Sequence, residues 1–314
     1  MHPFRFGVQA LQLPIDRWQD AARRIETLGY STLFVPDHFS TQWDPMTALP
    51  AIAAATGTLR VGSLVYDIDY RHPVIYAKAA ATLHLLSGGR FEFGIGAGWM
   101  ESDYLEAGMR YDRPGVRISR LAEGLEIIQG MWRNERTTFD GEHYQLRGMA
   151  QAAALPEGER PKILIGGGGK RLLTLAGRHA DIVGINPALS EGRVTAATPA
   201  DSTPERIREK VGWVRAAAQA AGRDPEEIEF NALSFVVAIT DRPEGLRERI
   251  AANSGMTTQQ VADCPLFLTG SASEIRERLE RRREETGISY TVIHSEDEAL
   301  LETFAKEVVQ PLAG

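Results

Sequence analysis

The sequence predicts an α/β fold of eight parallel strands alternating with helices, with its chemistry at the carboxyl ends of the strands. Three observations carry this. Apolar runs of strand length recur eight times, with helical patterns between them. Several runs, such as Ile163-Leu164-Ile165 and Val236-Val237-Ala238-Ile239, are apolar throughout, as strands covered on both faces must be. Strand ends also carry polar, aromatic or glycine residues, as in Val35-Pro36-Asp37-His38-Phe39, Arg71-His72-Pro73 and Phe91-Glu92-Phe93-Gly94-Ile95-Gly96-Ala97-Gly98-Trp99. A closed barrel and an open parallel sheet both place their sites at such ends. The chain has 314 residues. That length suits one (β/α)8 TIM barrel of about 250 residues with insertions, so residues 1–314 are read as a single domain.

The strands are expected near Phe4–Gln9, Thr32–Pro36, Leu59–Tyr66, Arg90–Gly96, Lys162–Gly166, Asp181–Ile185, Ile228–Val237 and Ser289–His294. Trp18–Leu28 has apolar residues at helical spacing and stops at Gly29. The alanine-rich Val74–Leu86 stops at Ser87-Gly88-Gly89, and Ile118–Trp132 is a further helix. Pro204–Ala221 is introduced by Thr203 as N-cap and proline at the first helical position. The charged Ser273–Thr286 ends at Gly287. Residues 99–161 are too long for one crossover. They are read as an insertion between strands 4 and 5, with a hairpin over Thr137–Gly148 turning at Asp140-Gly141. Ala150–Arg160 and Leu189–Asp201 read as surface loops, the second an insertion after strand 6.

Hydrophobic residues make up 43% of the chain and the net charge is -7. With no basic run or face, nucleic acid is not an expected partner. The opening Met1-His2-Pro3-Phe4-Arg5 lacks a signal-peptide apolar region, and no stretch is long enough to span a bilayer. The single cysteine, Cys264, cannot form an internal disulfide, which fits a reducing cytoplasm.

Within the motifs, Asp37-His38 follows a strand and faces the expected mouth. A histidine exchanges protons near neutral pH, and a neighbouring carboxylate can orient a ligand; the competing role is a helix cap by Asp37 with a packed His38. Ser63-Leu64-Val65-Tyr66 ends the third strand, where irregular backbone could press on a flat ligand. Gly94-Ile95-Gly96-Ala97-Gly98 either lets backbone approach a ligand or forms a tight turn, and Trp99 stands where a dinucleotide fingerprint needs its third glycine. Gly166-Gly167-Gly168-Gly169-Lys170-Arg171 ends a strand and opens a helix over Leu172–Gly177. This is the best candidate for a phosphate cradle, the competing role being a flexible turn, and it lacks the Gly-Lys-Ser/Thr ending of a P-loop. His294 ends the last strand, where it could face the mouth. No histidine, cysteine or aspartate cluster has metal-binding spacing, so no metal is expected.

These stretches, with Phe4-Arg5-Phe6-Gly7-Val8, Leu86-Ser87-Gly88-Gly89-Arg90 and Ala180-Asp181-Ile182-Val183-Gly184, resemble the luciferase-like monooxygenase superfamily and its coenzyme F420-dependent branch. The resemblance runs from about residue 4 to about residue 300. It implies a (β/α)8 barrel with the deazaflavin at the strand carboxyl ends and hydride transfer to or from a small organic substrate. It implies Asp37 at the ring system, His38 as catalytic histidine, and Trp43 near a tryptophan those enzymes use. A non-prolyl cis peptide at Ser63-Leu64 would buttress the ring, Gly167–Lys170 would hold phosphate, and Lys170 and Arg171 would meet the acidic tail. Ser102 falls where a cofactor-contacting asparagine would be. Tyr66, Trp99 and His294 would border cofactor and substrate. Trp99 replaces the catalytic glutamate of the sugar-phosphate dehydrogenases, which argues against that reaction. The family favours homodimers. The competing functions are an FMN-dependent monooxygenase, since FMN members share the Ser-Gly-Gly-Arg segment, and a non-catalytic cofactor-binding protein.

Overall fold

The computed structural model describes residues 1–313 except Ala154, Glu157 and Ser190. Those three positions of the expected loops, and Gly314 of the expected domain, lie outside the described residues. The strands are β1 (Arg5–Gln9), β2 (Thr32–Val35), β3 (Arg60–Ser63), β4 (Tyr66–Asp67), β5 (Phe91–Gly96), β6 (Arg136–Asp140), β7 (Gln145–Ala150), β8 (Lys162–Gly167), β9 (Ile182–Ile185), β10 (Glu229–Ser234), β11 (Val236–Ile239), β12 (Phe267–Gly270) and β13 (Ile288–His294). One parallel sheet runs β3-β2-β1-β13-β10-β9-β8-β5-β4, and β3 also pairs with β5, which closes it. Because β3 and β4 share one position, this is an eight-stranded barrel.

The helices follow local signals. Thr203 caps Pro204–Ala220 by accepting from Arg206 N. Ser271 and Glu274 form a reciprocal capping box on Ala272–Thr286, which ends at Gly287 in the left-handed conformation. Pro45–Ala55 is a helix the sequence reading did not resolve; it is capped by Asp44 and begins with proline. None of the helices described is long and apolar enough to cross a membrane.

Both expected insertions are present. Between β5 and β8 lie the helices Glu101–Glu106 and Pro114–Arg133 and the antiparallel β6–β7 hairpin. Residues 186–203 follow β9 and include a short 3-10 turn at Thr198–Ser202.

Two strand expectations need correction. Ile228–Val237 is not one strand: β10 stays in the barrel, and half-buried β11 leaves it to pair with β12 in a separate parallel ribbon. The ribbon belongs to a further insertion before β13. Leu59–Tyr66 breaks into β3 and β4 around a cis peptide at Leu64–Val65, one bond later than expected.

The barrel interior is filled by Phe34, Leu64, Leu164, Ile182, Tyr290 and Val292. Its amino-terminal end is closed by a charge cluster. The fully buried Glu92 pairs with Arg5 and, at 2.7 Å, with Arg60, and accepts from Tyr290 Oη at 3.1 Å. Burial alone would raise the Glu92 pKa; Arg5 and Arg60 hold it below the ordinary value. Charge at this end supports the fold and leaves the opposite mouth for chemistry.

Candidate active site at the barrel mouth

Asp37 and His38 follow β2 in irregular chain, so Asp37 caps no helix. The Asp37 carboxylate is buried, accepts from Arg71 at 2.7 Å and from the Asp67 backbone N–H at 3.3 Å. Burial nevertheless leaves its pKa above the ordinary carboxylate value. Arg71 continues to Asp44 at 2.6 Å, tying the β2 loop to the segment before helix Pro73–Leu86. Asp37 therefore buttresses the mouth.

His38 Nδ1 lies 2.7 Å from Asp103 Oδ2, and Tyr70 Oη donates to the same oxygen at 3.0 Å. An ionised carboxylate only accepts, so the Nδ1 side carries the proton and Nε2 remains for a ligand. The Trp99 ring meets His38 edge-on at 5.5 Å, and Phe39 stacks on Tyr70 at 4.2 Å. Tyr111 Oη donates to the Trp99 carbonyl at 2.9 Å.

Behind this pair lies a second acidic group. Tyr104 Oη bonds both Asp67 Oδ2, at 2.7 Å, and Asp69 Oδ2, at 3.0 Å. Arg120 grips Asp69 through two bonds, at 2.7 and 2.8 Å. Burial raises the Asp67 pKa to about 7.

At the mouth end of β1, between β2 and β13, an amide orders the chain. Gln9 Nε2 donates to the Leu64 carbonyl at 2.7 Å, and Gln9 Oε1 lies 3.1 Å from His294 Nδ1. Burial lowers the His294 pKa, so it stays neutral to lower pH than an ordinary histidine. Trp43 is half-buried against the core and donates its backbone N–H to the Leu11 carbonyl at 3.0 Å. Next to it, both amide atoms of Gln42 are buried without a partner.

The glycine loop turns from β8 into helix Lys170–His179. A Cβ on Gly168 would sit 2.3 Å from the Pro187 carbonyl carbon and 2.4 Å from Ala188 N, so the chain passes 187–188 closely. A Cβ on Gly169 would meet nothing within 4 Å. Gly169 is the N-cap and supplies no side chain, so the first N–H groups of the ten-residue helix face outward with the positive dipole end. Arg171 bonds Gly115 O and Ser119 Oγ, while the Lys170 ammonium stands 5.8 Å from the Trp213 ring. The uncapped N-terminus fits an oxyanion such as a cofactor phosphate, and the orphaned Gln42 amide fits a polar ligand edge.

Lys210 braces this loop from behind. Its fully buried ammonium donates to Asn186 O (2.8 Å), Asp201 O (2.7 Å) and Asp201 Oδ2 (2.7 Å).

Several expected site residues lie elsewhere. Tyr66 is buried against Tyr76 and Phe93 in the outer layer rather than presented at the mouth. The Ser63 hydroxyl is spent on the Gly94 carbonyl at 2.6 Å, and Leu64 is a plug of the barrel interior. A Cβ on Gly94 would fall 1.9 Å from the Ser63 carbonyl oxygen, so this glycine makes room for the kinked third strand rather than for a ligand. Ser102 is exposed on helix Glu101–Glu106, and its neighbour Asp103 is the residue that turns inward. Asp103, Asp67, Asp69, Gln9 and Lys210 escaped the sequence reading, because each acts through partners elsewhere in the chain, and Gln42 escaped it because no local pattern marks a buried amide.

The profile of the luciferase-like monooxygenase family matches residues 1–299. The chain belongs to that family. Among curated relatives it is similar to an F420-dependent glucose-6-phosphate dehydrogenase of Amycolatopsis mediterranei, 27% identical over 62% of this chain and 64% of that protein. The chain thus spans just under two thirds of that relative's length. Among solved structures it superposes on the coenzyme F420-dependent tetrahydromethanopterin reductase of Methanopyrus kandleri with a TM-score of 0.78, at 18% identity, over 99% of this chain and 100% of the other. It also superposes on a riboflavin lyase solved with modified FMN and riboflavin, with a TM-score of 0.79, at 15% identity, over 100% of this chain and 93% of the other. At these identities the likeness establishes the barrel.

Proposed function

We propose that this protein is an F420-dependent oxidoreductase, with His38 moving the proton that accompanies hydride transfer. The observation that carries the proposal is the His38–Asp103 pair at a barrel mouth that also carries an uncapped, glycine-lined helix N-terminus after β8. The curated F420-dependent relative supports the deazaflavin over FMN.

When bound, the deazaflavin supplies or accepts the hydride. Helix Lys170–His179 and the glycine loop would hold its phosphate, with Lys170 at the rim. Gln9 orders the Leu64 carbonyl and so sets the backbone on which the ring would rest. Asp103 holds His38 with Nδ1 protonated and Nε2 toward the substrate, and Trp99 restricts rotation of the imidazole. His38 Nε2, unprotonated in that tautomer, takes the proton of an alcohol as it becomes a carbonyl; in the reverse direction the ring must first be protonated, and the imidazolium then gives its Nε2 proton to the carbonyl oxygen. A ketone–secondary alcohol pair suits a site with one proton carrier and apolar walls from Trp43 and Trp99.

We also infer a homodimer in a reducing cytoplasm. A groove of about 420 Å³ on the outer face runs past Met46, Ile75, Tyr76 and Leu86, with Ile75 and Leu86 exposed, and supports a second copy as its cover. Light scattering of the purified protein measures this, and a monomer at micromolar concentration would overturn it.

The cofactor is tested by titrating the protein with coenzyme F420 and, separately, FMN, following tryptophan quenching. Micromolar or tighter deazaflavin binding with weak FMN binding is expected. The reverse preference would overturn the proposal and direct attention to oxygen consumption with reduced FMN.

A further inference from the structure

A second polar cavity lies away from the mouth, in a groove of about 310 Å³ between helices Pro204–Ala220 and Ala272–Thr286. Four arginines line it, Arg208, Arg278, Arg281 and Arg282, against three acids, Glu205, Asp263 and Glu285. The acids are already engaged. Arg281 pairs with Asp263 at 2.6 Å, and Arg208 pairs with Glu285 at 2.8 Å and Glu205 at 3.1 Å. Arg278 gives a hydrogen bond to the Thr269 carbonyl and forms no ion pair among the described residues.

Arg282 is the anomaly. The residue is 8% exposed, its Nη1 has no hydrogen-bond partner, and Nη2 has a single long bond, 3.3 Å to the Asp263 carbonyl. Among the described residues it too forms no ion pair. Burial pulls its pKa down to about 10, so it remains cationic at neutral pH. A buried cation with one weak acceptor is costly, and a buried polar group without a partner asks for one from outside the chain.

We propose that this groove is an oxyanion-binding site, separate from the barrel mouth, in which a phosphate or carboxylate group accepts from Arg282 Nη1 with Arg278 and Arg281 beside it. A guanidinium presents paired donors that match either anion. The floor of the groove, Asp263–Pro265, touches the barrel directly, since Ser234 Oγ at the end of β10 donates to the Pro265 carbonyl at 2.6 Å. The inference does not depend on which cofactor the mouth holds.

The test is the melting temperature of the full-length protein titrated with inorganic phosphate and, in a parallel arm, with acetate, each against sodium chloride at equal ionic strength. The wild type should show a saturable rise with phosphate. A rise with acetate as well would assign the site to oxyanions generally, and a rise with phosphate alone would assign it to phosphates. Arg282→Met should lose most of the response. Arg281→Gln, at a half-exposed position, should weaken the midpoint several-fold, and it decides the question should Arg282→Met not fold. No response beyond chloride in the wild type, or an equal response in the variants, would overturn the proposal.

Discussion

His38 and Asp103 are 65 residues apart in sequence and meet at 2.7 Å between Nδ1 and Oδ2. One comes from the loop after β2 and the other from a six-residue helix after β5. Their contact fixes which imidazole nitrogen faces the mouth, and so gives a strand-end histidine a direction. Replacing His38 with Ala should lower kcat by about 10²–10⁴-fold, the usual worth of a positioned acid–base group, with cofactor affinity little changed. Asp103→Asn should lower kcat with KM nearly unchanged, and Asp103→Glu should recover part of the loss. Steady-state kinetics on the F420-dependent reaction measures all three, and full activity in His38→Ala would end its assignment as proton carrier.

The glycine loop offers an internal control. Gly168→Ala drives a Cβ into the 187–188 backbone and should cost about 1–3 kcal/mol while weakening cofactor binding. Gly169→Ala points into open space and should bind the cofactor far better than Gly168→Ala. Fluorescence titration of both variants checks the contrast; equal affinities would show that the loop does not hold the cofactor.

Asp67 makes stability depend on pH. Burial raises its folded-state pKa to about 7, above the ordinary aspartate value. Between about pH 4 and 7 the folded chain holds a proton that the unfolded chain has released. Its contribution is therefore complete below the unfolded pKa and is lost as pH rises toward 7. Asp67→Asn keeps a polar partner for Tyr104 and the Asp69 N–H without titrating. Melting curves from pH 5 to 8 should show a decline in the wild type that is smaller in the variant, by a few degrees; parallel curves would count against the shift.

Lys210 bears on the segment that follows β9. Lys210→Met removes the donor shared by Asn186 and Asp201 and leaves their two backbone carbonyls behind the glycine loop without it, while the Asp201 carboxylate keeps Ala188 N and Arg206. The loss should be about 3 kcal/mol, the low end for breaking a buried pair, because the Asp201 side chain is 25% exposed. Denaturant unfolding measures it. Proteolysis within residues 186–203 should quicken in parallel, and unchanged cleavage would show that the segment is held by other contacts.

The barrel itself was legible because it rests on local, periodic signals. Apolar strands buried on both faces, N-capped helices and glycine stops can each be read within a few residues, and most expected strands match observed ones within a residue or two. His38, Trp99, His294 and the glycine loop could be placed at the mouth on the same grounds, since strand ends define the mouth. Tertiary structure decided what those local signals do not contain. Val236–Ile239 is as apolar as a barrel strand, yet β12, which pairs with it, draws it out of the barrel. Tyr66 opens β4 near the strand end, but its ring packs against Tyr76 and Phe93 in the outer layer. Asp103, Gln9 and Lys210 take their roles from hydrogen bonds to residues 9 to 285 positions away. The residues alone could set strand, helix and mouth, because those depend on neighbours in sequence; the direction of each polar side chain depends on partners that only the closed barrel brings within reach.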